Sequence, residues 1–101
     1  MKESALCPSL AKAMELIGKR WTALIIYQLL NGPQRFNAIE SALPISGRLL
    51  SERLKELEKE NIVERKVYSE VPIRVEYSLT EKGLSLEGAV REIEKWAQEW
   101  I

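Results

Sequence analysis

The chain contains no histidine and no aspartate, and Cys7 is its single cysteine. All 15 acidic residues are glutamate, matched by 15 lysines and arginines. These gaps exclude chemistry. A Ser-His-Asp or Cys-His catalytic site cannot be assembled within the chain. A zinc site of the Cys and His type cannot be assembled either. One thiol has no intrachain disulfide partner, which fits a reducing compartment. The longest apolar run, Ala23 to Tyr27, falls far short of the ~20 residues that span a bilayer. The opening MKESALCPSL carries no apolar leader. Together these absences predict a soluble, cytoplasmic, non-enzymatic protein that needs no membrane, metal or cofactor.

What is present fits one small domain over residues 1–101, with 46% hydrophobic and 30% charged residues. A chain this short buries a thin core, so a partner subunit is an expected source of stability. The net charge is zero, but it is unevenly placed. Residues 19–74 hold ten basic groups against seven glutamates, and residues 75–101 hold three against six. A basic centre beside a more acidic tail suits a polyanion-facing surface and a separate assembly surface. Ordinary solvation gives the same imbalance.

Hydrophobic spacing lays out the elements. Pro8 and Ser9 signal a helix start, and Leu10, Ala13, Met14 and Ile17 follow at helical spacing. Gly18 interrupts. A second helix is predicted from about Arg20 to Leu30 and ends at Asn31-Gly32-Pro33, where Gly or Asn suits the left-handed position. Phe36, Ile39 and Leu43 give a short third helix, closed by Pro44. Ser46 is the predicted N-cap of a fourth, with Leu50, Leu54 and Leu57 on one line and a glycine-like turn at Asn61. Two extended segments follow, Ile62 to Tyr68 and Ile73 to Leu79, joined by Ser69 to Pro72 as a hairpin tip. Thr80 is expected to cap a single last helix whose wide apolar stripe runs through Leu86, Ala89, Val90, Ile93, Trp96, Ala97 and Trp100. The predicted fold is α+β and mainly α. It is a winged helix-turn-helix with a two-stranded wing and N- and C-terminal dimerisation helices.

The fourth helix is the candidate reader of DNA. At about 100° per residue, Leu50, Leu54 and Leu57 define the inward side. Arg48, Glu52, Lys55 and Lys59 fall opposite, with Ser51 at the flank. A helix fits the major groove, and its N-terminal half reaches base edges. Arg48 can pair with guanine, Ser51 can donate or accept, and Glu52 can accept from cytosine or hold Arg48. Ser46 and the free N–H groups of the first turn suit a phosphate. Arg53 lies beside the apolar line and is expected in an internal ion pair. Lys66 and Arg74 frame the hairpin tip with Pro72, spaced to straddle a groove. Gln34, Arg35 and Asn37 add a third polar cluster. The competing reading of the fourth helix is a solvated face laced with ion pairs.

Two further features stand out. Cys7 precedes a helix start, and helix N-termini favour a thiolate, so Cys7 is a candidate redox or electrophile sensor. A lone cysteine is also often only a small hydrophobe. At the other end, Trp96, Trp100 and Ile101 are more apolar surface than a small core can cover. Leu10, Met14, Ile93, Trp96 and Trp100 are therefore expected to meet across a two-fold axis.

Several segments together resemble the HxlR-type winged helix regulators. They are Cys7-Pro8, Gly18-Lys19-Arg20-Trp21, Gly32-Pro33 with Arg35-Phe36, Arg53-Leu54 with Leu57-Glu58, Pro72 with Val75-Glu76-Tyr77, and Leu79-Thr80-Glu81-Lys82-Gly83. The resemblance covers about residues 7–100. It implies a homodimer, joined through its first and last helices, that binds double-stranded promoter DNA, usually as a repressor; a two-fold dimer would match an inverted-repeat operator. The GKRW and LIIYQLLNGPQRF segments look closest to the quinone- and diamide-responsive YodB/CatR branch. There the cysteine matching Cys7 is the sensing thiol, which implies a small electrophile or oxidant as a second partner. That branch often carries further cysteines near its C-terminus, and this chain has none. A disulfide would then join two copies of Cys7, or Cys7 and a small thiol, with alkylation as the other route. Gly47 stands where the family usually has Pro, with one residue fewer after Pro44. The alternatives are a winged helix used only for protein–protein assembly and, far behind, a thiol enzyme using Cys7.

Overall fold

A computed structural model describes residues 7–101. The reading of the chain's opening rests in part on residues 1–6, which lie outside the described residues. The elements are α1 (Pro8–Ile17), α2 (Thr22–Leu29), α3 (Phe36–Ala42), α4 (Gly47–Lys59), β1 (Val63–Tyr68), β2 (Arg74–Leu79), α5 (Glu81–Leu84) and α6 (Glu87–Trp100). This is the expected mainly helical winged helix, with α3 and α4 as the helix-turn-helix and β1–β2 as the wing.

The core is built where the spacing places it. Ile25, Ile26 and Leu29 of α2 meet Ile39 of α3 and Leu50, Leu54 and Leu57 of α4, with Ile45, Ile62 and Val63 closing the cluster. The three α4 leucines are almost wholly buried, so truncating one to Ala costs about 2–5 kcal/mol. Their burial fixes which side of α4 faces out.

Turn chemistry then fixes the wing. Asn61 adopts φ 59°, a left-handed conformation that Asn tolerates. Ile62 N–H donates to the Leu57 carbonyl at 2.9 Å and Asn61 N–H to Glu58 at 3.0 Å, a Schellman close to α4. The strands pair antiparallel from Val63↔Leu79 to Tyr68↔Arg74. Residues directly opposite share a face. Val63, Arg65 and Val67 therefore lie with Leu79, Tyr77 and Val75 on one face, and Lys66 and Tyr68 with Glu76 and Arg74 on the other. Gln34 forms a bridge to Tyr77 through two backbone hydrogen bonds, 2.9 and 2.8 Å. This bridge ties the start of α3 to the wing.

One expectation fails. Thr80 caps the one-turn helix α5, its hydroxyl accepting from Gly83 N–H at 3.1 Å, and α6 begins only at Glu87. The cause lies at Gly83, which packs so tightly that a Cβ there would stand 2.2 Å from the Ile62 carbonyl oxygen. The helix is pinned to the base of β1 and must turn before it continues. Leu86 falls in that turn and packs with Val90 against the core. The exposed part of the stripe begins beyond it.

Candidate nucleic-acid interface

The outward side of α4 starts at its cap. Ser46 Oγ accepts from Leu49 N–H at 3.2 Å, which consumes one donor of the first turn. Beyond it Arg48, Glu52, Lys55 and Lys59 are exposed and Ser51 is half-buried. The Arg48 side chain is 92% exposed and lies 3.7 Å from Glu52. That contact is a loose surface pair of the (i, i+4) kind. Lys55 forms no ion pair among the described residues. Arg53 turns inward, as its position predicts. It donates to Glu56 at 3.2 Å and to the Arg20 carbonyl at 3.3 Å.

A residue that sequence reasoning missed stands at the same helix end. A Cβ on Gly47 would lie 2.6 Å from Glu40 Oε2. The α3 carboxylate therefore occupies the space where a side chain at 47 would project. It brings negative charge to the positive end of α4. The spacing of Glu40 and Gly47 carries no local signal for this, since α3 and α4 meet only in the fold.

The wing departs from its expected charge pattern. Lys66 is exposed and sits directly opposite Glu76. Arg74 is clamped: it donates to Glu76 at 2.6 Å and Glu70 at 2.8 Å, and stacks over Tyr68 at 3.9 Å. The hydrogen bonds to Glu70 and then Glu76 raise the Arg74 pKa. The same arginine, through its hydrogen bond, lowers that of Glu70. Its charge is matched before any DNA approaches. Arg65 is exposed on the opposite face, and Val71, Pro72 and Ile73 form an exposed apolar tip. Arg35 and Asn37 are exposed at the start of α3. Behind the Arg74 hydrogen bond, Arg35 adds a small charge effect to the lowering of the Glu70 pKa.

The two ends of the chain present apolar surface. Neither α1 nor α6 contains a fully buried residue. Leu10, Met14, Ile93, Trp96 and Trp100 are all more than half exposed. α6 is held to α2 by a hydrogen bond from the Tyr27 hydroxyl to Glu94, with Arg91 stacked 5.4 Å from the Tyr27 ring. Cys7 is exposed and is the N-cap of α1, its Sγ accepting from Leu10 N–H at 3.4 Å. Among the described residues no helix is long and apolar enough to cross a membrane.

A two-helix unit with an outward cationic helix, followed by a hairpin wing, defines a winged helix-turn-helix DNA-binding protein. Residues 16–101 match the HxlR-like helix-turn-helix family, and the chain belongs to it: it is a transcriptional regulator of that family. It is 59% identical over 102 residues to the HTH-type transcriptional regulator YvaP of Bacillus subtilis, covering all of this chain and 94% of that protein. It is 47% identical over 98 residues to the transcriptional regulator YodB of the same organism, covering 96% of this chain and 88% of YodB. The reduced form of YodB from B. subtilis superposes with a TM-score of 0.84 at 48% identity, over 94% of each chain. YodB has also been solved diamide-treated and quinone-bound, with TM-scores of 0.79 and 0.81.

Proposed function

We propose that the protein is a homodimeric repressor that reads an inverted-repeat operator and responds to electrophiles or oxidants through Cys7. The observation that carries the DNA reading is α4 itself. Its leucines are buried and its Arg48, Lys55 and Lys59 side is open to solvent. Arg48, Ser51 and Glu52 reach base edges in the major groove. Lys55 neutralises phosphate charge, as does Arg35 at the start of α3, and Asn37 beside it donates a hydrogen bond to a phosphate oxygen. Ser46 supports the first turn, where a phosphate approaches. On the wing, Lys66 meets the backbone and Pro72 rides at the tip. Arg74 shapes the tip rather than contacting a base, because its charge is already matched by two glutamates.

The exposed ends support the dimer reading. Leu10 and Met14 of α1, and Ile93, Trp96 and Trp100 of α6, lie open to solvent in one copy. Burying them against a second copy supplies both stability and the two-fold arrangement of an inverted repeat.

Cys7 acts as the switch. Its sulfur caps α1, the helix that carries Leu10 and Met14 into the dimer contact. A quinone adds to the thiolate and forms a C–S bond, the ring taking the electron pair and then a proton. Diamide takes two electrons and two protons from two thiols, leaving a disulfide between two Cys7 residues or between Cys7 and a small thiol. Either product changes the cap and shifts the two reading helices apart. A small displacement suffices, since each lost bidentate base contact costs about 1–3 kcal/mol.

The test titrates the protein against a fragment of its own promoter at several salt concentrations, with parent and Cys7→Ser treated with quinone or diamide. Salt-dependent, sequence-preferring binding that the parent loses on treatment and Cys7→Ser retains is the expected result. Absence of such binding favours a protein–protein assembly role. Equal loss in both proteins removes Cys7 from the mechanism.

A further inference from the structure

The dimer helix and the reading helix hardly touch. α1 is flanked by an open groove on the α4 side, about 650 Å³, lined by Lys12, Glu15, Lys19, Glu56 and Lys59 among others. A second groove, about 370 Å³, separates it from the α5–α6 turn. Leu16 is the α1 side chain that packs on the core. With Leu16 alone among the described α1 residues packed on the buried core cluster, and a groove on either side, apolar packing holds the tilt of this ten-residue helix only weakly.

What fixes it lies in the turn that follows. Lys19 Nζ donates to Glu56 Oε2 of α4 at 3.2 Å. Arg53 NH1 donates to the same oxygen at 3.2 Å, and Arg53 Nε reaches the Arg20 carbonyl at 3.3 Å. The Arg53 side chain is only 18% exposed. Glu56 Oε1 is buried and has no hydrogen-bond partner among the described residues, so this carboxylate is held by one oxygen at a cost in solvation. The backbone at the turn is also constrained: Trp21 sits at φ 81° with the Arg20 guanidinium 4.8 Å above its ring. A bulky residue rarely adopts that conformation unless its surroundings enforce it.

We infer that Glu56 is a positioning residue: with Lys19 and Arg53 it sets the angle between α1 and α4, and so the spacing of half-sites that the dimer accepts. This rests on the reading above, in which α4 faces DNA and α1 joins the dimer contact. Glu56 itself touches no base. Its removal leaves each α4 able to read a half-site but frees the two readers from a fixed separation.

The experiment begins with an inverted repeat selected in vitro by the full-length parent from a randomised duplex pool. A duplex holding one half-site and repeats with one base pair added or removed from the spacer are made from it. Parent, Glu56→Gln, Lys19→Ala and Lys19→Arg are titrated against each. Glu56→Gln and Lys19→Ala are expected to bind the single half-site like the parent. They lose about tenfold on the parental repeat, on the scale of one base contact, and discriminate less among spacers. Lys19→Arg keeps the ion pair and restores the parental profile. Unchanged spacing preference in Glu56→Gln and Lys19→Ala overturns the assignment, as does an equal loss on half-site and repeat, which marks local damage to α4. A parent that binds the repeat with no spacing preference overturns the dimer reading beneath it and this assignment with it.

Discussion

Arg48 and Glu52 lie 3.7 Å apart on the outward side of α4, one turn from each other. Both are open to water, and such a pair stabilises a helix by only about 0.2–0.5 kcal/mol. Arg48 can therefore leave Glu52 for a guanine at little cost. In the proposed reading, Glu52 in turn repels phosphates that approach without the right base. Glu52→Ala is expected to change the melting temperature little, while raising affinity for unrelated duplex more than for operator. Thermal melts and anisotropy titrations on both duplexes check this; equal gains on the two would remove Glu52 from discrimination.

The wing gives a contrast between two cations. Lys66→Ala should weaken binding to every duplex alike and flatten the slope of log affinity against log salt by about 0.9, the value for one phosphate contact. Arg74→Ala should leave that slope near the parent's, because Glu70 and Glu76 already match its charge. A slope lost equally in both variants would mean that the Arg74 clamp opens on DNA.

Glu40 places a carboxylate at the first residue of α4, the helix end that a DNA phosphate approaches in this reading, and so weakens that contact. Glu40→Gln should bind unrelated duplex about two- to fivefold tighter, the size of one charge at a helix terminus. Unaltered binding to both operator and unrelated DNA would show that the phosphate docks elsewhere.

Much of this was legible in the residues. The lines Leu50-Leu54-Leu57 and Ile25-Leu29 locate the core because helical period and burial are both local properties of the sequence. Asn61 and Gly32 mark left-handed positions, with φ 59° and 117°, through their own backbone preferences. Two of the failures are contacts between segments that meet only in the fold: the Gly83 approach to Ile62 breaks the last helix, and Glu40 reaches Gly47 across the helix turn. The Arg74 pairs are local, with Glu76 two residues on along the same strand and Glu70 four residues back, and are missed when Arg74 is weighed only as a cation facing a groove. Trp21 at φ 81° runs against its own preference and had no signal at all. The exposed face of α4 was readable; which of its neighbours cancel the wing's charge was not.

Acid should loosen α6. The Glu94 carboxyl is held below its ordinary value chiefly by the Tyr27 hydrogen bond, with burial opposing and Arg91 reinforcing. A lowered folded pKa contributes stability that is full above the ordinary value of 4.5 and is lost as pH falls through the folded one. Tyr27→Phe removes the bond, so its melting temperature should lie below the parent's at pH 7 and converge with it as pH drops well below 4.5. Glu70, lowered by Arg74, should give both proteins a shared acid-dependent fall. A constant offset at all pH values would show that the stabilisation does not depend on the Glu94 carboxylate, and coincident curves that the Tyr27–Glu94 bond does not stabilise the fold.

The sharpest check is a base-substitution scan of the selected operator, titrated with parent and Arg48→Ala. The parent should discriminate at positions related by a two-fold axis. Arg48→Ala should lose that discrimination at one symmetric pair, one position in each half-site, by about 1–3 kcal/mol per half-site, and keep it elsewhere. Identical profiles for the two proteins, or a profile without two-fold symmetry, would contradict a dimer reading DNA through the outward side of α4.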